Sequence, residues 1–386
     1  MRASTAKVAR SMNAERELSA ASAARPTRIA YLDALRGLAA LTVAVFFHYQ
    51  HFSGMAQPGG PAPESAPLYH LPGFELAYRY GGFAVDFFFI LSGIVFSHVY
   101  AEAIGSDRTA WRRFWALRVA RLCPIHVATL LAVGGLIWIF HGLTQRFPIY
   151  VPNDPTDFLL SLTFLQGGIL DRHLTFNGPA WSLSVEVFLY LVFFLVARYR
   201  VGGWAAVAML AAGVAILASP VRFVFLANAP MARGLVGFAL GMLVYVAAIA
   251  GRRPIAVALG LGMLAAVMVA LRTLGGLHDL SFCAVSSALA LGLVLISRWR
   301  LPQRLLEVGP LLRLGDASLT LYLIHVPLQI VILIGAAWVG WRVPYESLGF
   351  WVIYAVAVVS AALLVHAWYE VPMRRLLRRR LAPAAG

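Results

Sequence analysis

Ten apolar runs, most about as long as a membrane-crossing helix, follow one another along the chain at roughly 32–56, 80–101, 119–141, 180–198, 203–219, 230–250, 254–272, 280–297, 316–339 and 348–369. About 20 apolar residues at ~1.5 Å each span a hydrocarbon core of about 30 Å. The pattern predicts an all-α, polytopic membrane bundle of about ten transmembrane helices. Two connections are long. Gln57–Arg79 is rich in Pro and Gly, and Gly142–Pro179 holds a short apolar run, Phe158–Leu165. That run is too short to span, so it lies on the interface or re-enters. Connections of this length are functional more often than idle.

Arginine sets the orientation. Arg2, Lys7, Arg10, Arg16, Arg25 and Arg28 precede the first run. Arg108, Arg112, Arg113 and Arg118 follow the second, and Arg374, Arg375, Arg378, Arg379 and Arg380 follow the last. Later connections on the same side carry further arginines, while those on the other side carry one or two each. The positive-inside rule puts both termini in the cytoplasm. The expected organisation is a disordered basic cytoplasmic tail at 1–28, a transmembrane domain at 29–375 and a basic cytoplasmic tail at 376–386.

Composition agrees. The chain is 60% hydrophobic and 13% charged, with mean hydropathy +0.76, against about 25% charged for a soluble domain. The net charge of +15 flanks spans and lines no soluble surface, which argues against nucleic acid as a partner. Cys123 and Cys283 lie in apolar runs without metal-ligand spacing, so both read as packing residues and no metal is expected.

The polar groups inside the spans carry the candidate chemistry. An isolated charge facing lipid costs about 2.5 kcal/mol or more, so each is a functional candidate by its cost. The first run carries Asp33 and Arg36 at one end and His48 toward the other. Asp86 and Glu186 sit a few residues into spans that start outside, and His325 lies near mid-depth. The economical arrangement is mutual contact around a polar cavity. A histidine beside a carboxylate is the usual construction of a general base, so Asp86 or Glu186 is expected to support His48. Arg36, Arg112, Arg113, Arg118 and Arg121 gather on the cytoplasmic side. Guanidinium groups bind phosphate bidentately and keep their charge. A long ligand with a phosphorylated head and a reactive far end, such as coenzyme A, fits this layout. Each residue also has a plainer reading. The arginines serve topology, His325 bonds a neighbouring helix, Asp86 and Glu186 pair with Arg233, and Trp181 and Tyr322 pack. His51, His98 and His126 read as structural or interfacial.

The chain resembles the acyltransferase family 3 membrane proteins from Tyr31 to Arg375. The resemblance rests on seven blocks in order: Leu32–Ala40, Val85–Gly93, Arg112–Pro124, Trp181–Glu186, Arg233–Gly241, Leu321–His325 and Tyr369–Arg374. It implies a multi-pass protein of the bacterial inner membrane. It also implies transfer of an acyl group, usually acetyl, from cytoplasmic acyl-CoA to a hydroxyl of an extracytoplasmic or lipid-linked carbohydrate. The donor would be acetyl-CoA or another acyl-CoA; the other partners are a carbohydrate or glycolipid acceptor and membrane lipid. Arg36 and His48 match the family's proposed catalytic pair, with His48 as general base or acyl-accepting residue, and Arg118 and Arg121 match a segment implicated in donor handling. Trp181, Ser182, His325 and Tyr322 are the candidate substrate contacts. A second class fits the same polar groups: a proton-coupled transporter or flippase for a sugar-linked lipid or organic anion. The absence of a detectable inverted repeat speaks against it.

One departure stands out. The family spaces its Arg and His by ten residues; here eleven intervene, and the ten-residue place is Phe47. Eleven helical steps return to nearly the same face, whereas twelve land roughly 120° away. Three readings fit: a π-bulge in the first span restores the alignment; the two residues act from different faces, separated by roughly 18 Å of helix rise; or this member is impaired.

Overall fold

The computed structural model describes residues 28–53, 63–150, 153–170, 174–219, 225–251, 254–275 and 280–382. The main body is Tyr31–Gly386. Apart from Arg28, the stretch read as an N-terminal tail lies outside the described residues. Every run predicted to span is helical, and no strand occurs among the described residues beyond one isolated bridge, Leu170 to Phe225.

Among the described residues eight helices are long and apolar enough to cross a membrane, and two shorter apolar helices, Gly202–Ala218 and Gly260–Val269, lie where the remaining spans were expected. Trp138 and Trp338 project outward at the arginine-poor ends of their helices, Trp204 and Trp368 at the arginine-rich ends, each at least 78% exposed. Tryptophan belts of this kind mark the two interfaces of a membrane protein.

The first span is not one regular helix. It runs as α1 (Ala30–Leu41), a π turn (Thr42–Phe46) and a 3₁₀ stretch (Phe47–Ser53). The second is α2 (Ala84–Val99), preceded by a short helix, Phe74–Tyr80. The third, α3 (Trp111–Thr144), has 34 residues, about 51 Å at the α-helical rise, and therefore projects beyond the hydrocarbon. It contains Pro124, whose carbonyl accepts a hydrogen bond from the Tyr369 hydroxyl at 3.1 Å.

The long connection after α3 folds back on the bundle. Its helix α4 (Pro155–Leu162) starts with a capping box: Asp154 accepts from the Asp157 amide at 2.7 Å, and Asp157 accepts in return. This satisfies donors that a helix start leaves unpaired. His126 of α3 donates to the Ser161 carbonyl at 2.8 Å. Between the two expected placements of this apolar run, the structure shows a short helix pinned to α3 and not crossing the bundle.

The remaining elements are α5 (Trp181–Arg198), α6 (Gly202–Ala218), α7 (Ala229–Val244), α8 (Pro254–Gly275), α9 (Ser281–Arg298), α10 (Gly309–Asp316), α11 (Ser318–Trp338), α12 (Leu348–Val365) and α13 (Val371–Leu381). A second π turn leads from α7, and a third, His366–Glu370, joins α12 to α13. Most of the stretch expected as a C-terminal tail is thus helical to Leu381. Lipid gives no hydrophobic drive between helices, so close backbone approach matters. Gly37 of α1 lies against the backbone of Leu314 and Gly315; a side chain at Gly37 would push α1 off α10 and displace Arg36 beside it.

Candidate active site

α1, α2, α3, α5 and α11 enclose a cavity of about 770 Å³, its open mouth included. Arg36, Arg118, Arg121, Glu186, Ser182 and Tyr322 line it. Six residues singled out from the sequence therefore meet in one space, although up to 286 positions separate them in the chain.

Each cation is held differently. Arg36 pairs with Asp33 at 2.7 Å, one turn earlier on α1, and donates to Ser318 Oγ at 2.9 Å and the Gly315 carbonyl at 3.2 Å. These contacts fix it between α1 and the start of α11. Arg118 is 5% exposed. Its guanidinium lies over the rings of Tyr100, Phe96 and Tyr190 at 4.8, 5.1 and 5.6 Å and donates to the Tyr100 hydroxyl. Its Nε is buried with no hydrogen-bond partner among the described residues. Such a donor carries an unmet cost that an anion would relieve. Arg121 stands one turn further along the same face of α3, within electrostatic reach of Glu186. Glu186 accepts from the Tyr190 hydroxyl at 2.6 Å and from Ser92 at 3.4 Å.

Tyr322 closes the far end. Its hydroxyl donates to the Pro179 carbonyl at 2.8 Å and lies 3.1 Å from Ser182 Oγ. One turn further along α11, His325 meets His48: Nε2 of His325 is 2.8 Å from Nδ1 of His48. The centroids of these two rings are 5.0 Å apart with their planes 20° apart, and the His51 ring lies 4.6 Å from that of His48 with planes 18° apart. Local geometry explains the array. A 3₁₀ helix has three residues per turn, so positions i and i+3 eclipse. His48 and His51 obey that rule and would not on an α-helix.

The π turn lies in the first span, between Arg36 and His48. A bulge of this kind is what one of the sequence readings asks for, although Arg36 lines the cavity and His48 does not. Phe47, at the ten-residue place, packs instead against Gly81 and Gly82.

The family description of an acyltransferase domain matches residues 29–367. The chain belongs to this acyltransferase family. It is similar to the acyltransferase MdmB of Streptomyces mycarofaciens, with 30% identity over 92% of this chain and 94% of that one. It is also similar to protein 2 in the picA locus of Rhizobium radiobacter, with 30% identity over 44% of this chain and 82% of that one. The putative peptidoglycan O-acetyltransferase YrhL of Bacillus subtilis (strain 168) matches at 27% identity over 38% of this chain and 23% of its own. No solved structure gives a significant match. The protein is a multi-pass membrane O-acyltransferase.

Three sequence expectations need correction for this acyltransferase. First, neither carboxylate supports His48: among the described residues no hydrogen bond joins it to Asp86 or Glu186. Asp86, fully buried, is held by the Arg233 fork, Nη2 to Oδ2 at 2.6 Å and Nε to Oδ1 at 2.9 Å. The plainer reading of Asp86 is the observed one, because a buried carboxylate is satisfied best by a bidentate guanidinium. Second, Arg112 and Arg113 are exposed and do not line the cavity, since they occupy the opposite face of α3 from Arg118. Third, Trp181 stacks under Arg233 at 5.1 Å and is not among the cavity walls.

Four residues escaped the sequence reading. His51 reads as structural or interfacial, Gln329 and Tyr150 carry no mark in the pattern, and Glu370 is covered only as part of the Tyr369–Arg374 block. Gln329 and His325 stand four residues apart on one face of α11. Gln329 donates to the His48 carbonyl at 2.8 Å and contacts His51 Nδ1 at 2.9 Å. Tyr150, from the long connection, reaches His51 Nε2 at 3.3 Å. Burial pushes the Tyr150 phenol above its ordinary value, so it is a neutral donor. Glu370 accepts from Thr320 and His366, both at 2.6 Å, and pairs with Arg374 at 3.2 Å. It ties the last span to α11 beside Ser318, which holds Arg36. The usable signals were the three-residue spacing of His48 and His51 and the Tyr369–Arg374 block.

Proposed function

We propose that the cavity receives acyl-CoA from the cytoplasmic side and that His48 delivers the acyl group to a carbohydrate hydroxyl arriving from the opposite side. The observation that carries this reading is continuity. Arg36, Arg118, Arg121 and Tyr322 line one space, and His48 and His325 lie just outside its walls: Tyr322 is one helical turn from His325, which bonds His48. The arginines suit the phosphates of coenzyme A, with the buried Arg118 Nε as the unmet donor. The acyl thioester, at the far end of that ligand, would lie toward Tyr322 and the histidines.

His48 is half-buried and acts as the general base. The acceptor oxygen bonds to the acyl carbon as His48 takes its proton. The carbon–sulfur bond breaks, and the proton passes to the departing thiolate, leaving an ester and free coenzyme A. The collection of arginine on one side and the bacterial sources of the relatives support the bacterial inner (cytoplasmic) membrane as the protein's location. Acetyl is the group named for the relative YrhL and the first to test; a sugar hydroxyl, free or lipid-linked, is the proposed acceptor.

The test is release of free coenzyme A from acetyl-CoA by purified protein in nanodiscs, with a crude extracytoplasmic glycan fraction. His48→Ala is expected to lower turnover by about 10²–10⁴-fold, the usual contribution of a positioned base, while Phe47→Ala retains activity. Equal loss in both variants, or no coenzyme A release by the unmodified protein, overturns the assignment.

A further inference from the structure

The histidine array contains no carboxylate, so something else must fix the proton on His48. We propose that His325 is a positioning residue that holds His48 as the Nδ1–H tautomer, leaving His48 Nε2 as the reacting nitrogen. The inference rests on the transferase reading above and goes beyond it by naming which atom reacts and what aligns it.

Two arguments lead there. The first fixes His51. A carbonyl oxygen only accepts, so the Gln329 group facing the His48 carbonyl is its NH₂. The Gln329 oxygen therefore faces His51 Nδ1, which must carry a proton. Neutral His51 then has its lone pair on Nε2, toward the Tyr150 hydroxyl. His51 is thus fully engaged by Gln329 and Tyr150 and leaves His48 to His325.

The second fixes the pair. One of His325 Nε2 and His48 Nδ1 donates to the other. His325 Nδ1 is buried with no hydrogen-bond partner among the described residues; Nε2 is turned to His48, so Nδ1 is the nitrogen left to the nearby Leu321 and Tyr322 carbonyls of the preceding turn. A buried lone pair there would oppose two carbonyl oxygens, whereas an N–H is attracted to both. His325 accordingly carries its proton on Nδ1 and accepts at Nε2. His48 must then donate from Nδ1. Its Nε2 makes no hydrogen bond among the described residues and keeps the lone pair a base needs. His325 supplies the orienting half of a carboxylate's role without a formal charge. Gln329, one turn along, anchors the backbone of His48 from the same helix face.

The experiment uses full-length protein labelled with ¹⁵N-histidine in nanodiscs, with His48 signals assigned by their loss in His48→Ala. The expected spectrum shows a protonated Nδ1 and an unprotonated Nε2 for His48. In His325→Leu that preference is lost, and kcat falls about 100-fold, the scale of a misplaced reacting group, while KM for acetyl-CoA stays within about twofold because the arginine cavity is untouched. His325→Gln, whose side-chain oxygen can accept from Nδ1–H, is expected to recover at least about tenfold of that loss. A proton on His48 Nε2 in the unmodified protein overturns the proposal. So does a His48 tautomer unchanged in His325→Leu, or equal impairment of the Leu and Gln variants when both fold. If the unmodified protein shows the expected tautomer but frees no coenzyme A, the hydrogen-bond assignment is supported and the transferase role fails separately.

Discussion

Asp86 and Glu186 look alike in the sequence, each a lone carboxylate a few residues into an apolar helix, yet the bundle uses them differently. Asp86 is sealed at 0% exposure and takes both arms of Arg233. Rings of Phe282 at 4.2 Å and Trp181 at 5.1 Å cover that guanidinium. Glu186 is half-buried in the cavity wall, bonded to Tyr190 and Ser92, with Arg121 nearby. The first carboxylate is consumed by a structural pair joining α2 to α7. The second shares its space with cations that a ligand would also use. Buried cost alone therefore identifies neither residue as functional; what separates them is whether the partner has capacity left over.

The comparison breaks most sharply at Asp86. Removing one partner of a buried pair leaves an uncompensated charge, at a cost of about 3–5 kcal/mol. Asp86→Ala is expected to lower thermal stability in detergent by that order. The double variant Asp86→Ala with Arg233→Leu should recover part of the loss, because no charge is stranded. Additive losses, or a stable Asp86→Ala protein with only donor binding impaired, would move Asp86 into the donor site.

A smaller effect is expected at Arg118 and Arg121. Each charge-assisted contact to phosphate contributes about 1.5–3 kcal/mol, or roughly 10–100-fold in donor affinity. Arg121→Gln should weaken acetyl-CoA binding by that factor in calorimetry. Arg112→Gln, on the exposed face of α3, should leave affinity unchanged. Equal weakening in both would place the phosphates outside the cavity.

The smallest effect belongs to Glu186. Glu186→Gln keeps an acceptor for the Tyr190 hydroxyl and removes a charge that competes with phosphate for Arg121. Stability should change by less than about 1 kcal/mol, and donor affinity should rise a few-fold. Loss of stability comparable to that of Asp86→Ala would erase the distinction drawn here.

How much of this was legible before folding follows from the range of each interaction. The helices were legible because apolar length is a local property. Convergence was legible only in part. Intramembrane polar groups have few places to go other than each other, but the pattern groups His48, Asp86, Glu186 and His325 and sets the arginines in a separate layer. In the fold Glu186 shares its space with Arg36, Arg118 and Arg121, and Asp86 is taken by Arg233. The partner of Asp86 was not fixed, because Arg233 lies 147 positions away and two cationic groups competed for it on paper. His51 was passed over because an α-helix would put it about 60° off the His48 direction; only the local switch to three residues per turn aligns the rings.

The sequence by itself determined the membrane class, the places of the apolar helices, the side on which arginine collects and the set of polar residues that had to be sheltered. Tertiary structure decided which of them meet. It placed Arg233 on Asp86 and Gln329 on His51, and it put a neutral histidine where a carboxylate was expected beside His48. The physical reason is that burial cost is written into residue type, whereas a hydrogen bond depends on direction and ångström-scale distance. Those are set where α1 gives way to a π turn and then a 3₁₀ stretch against α11.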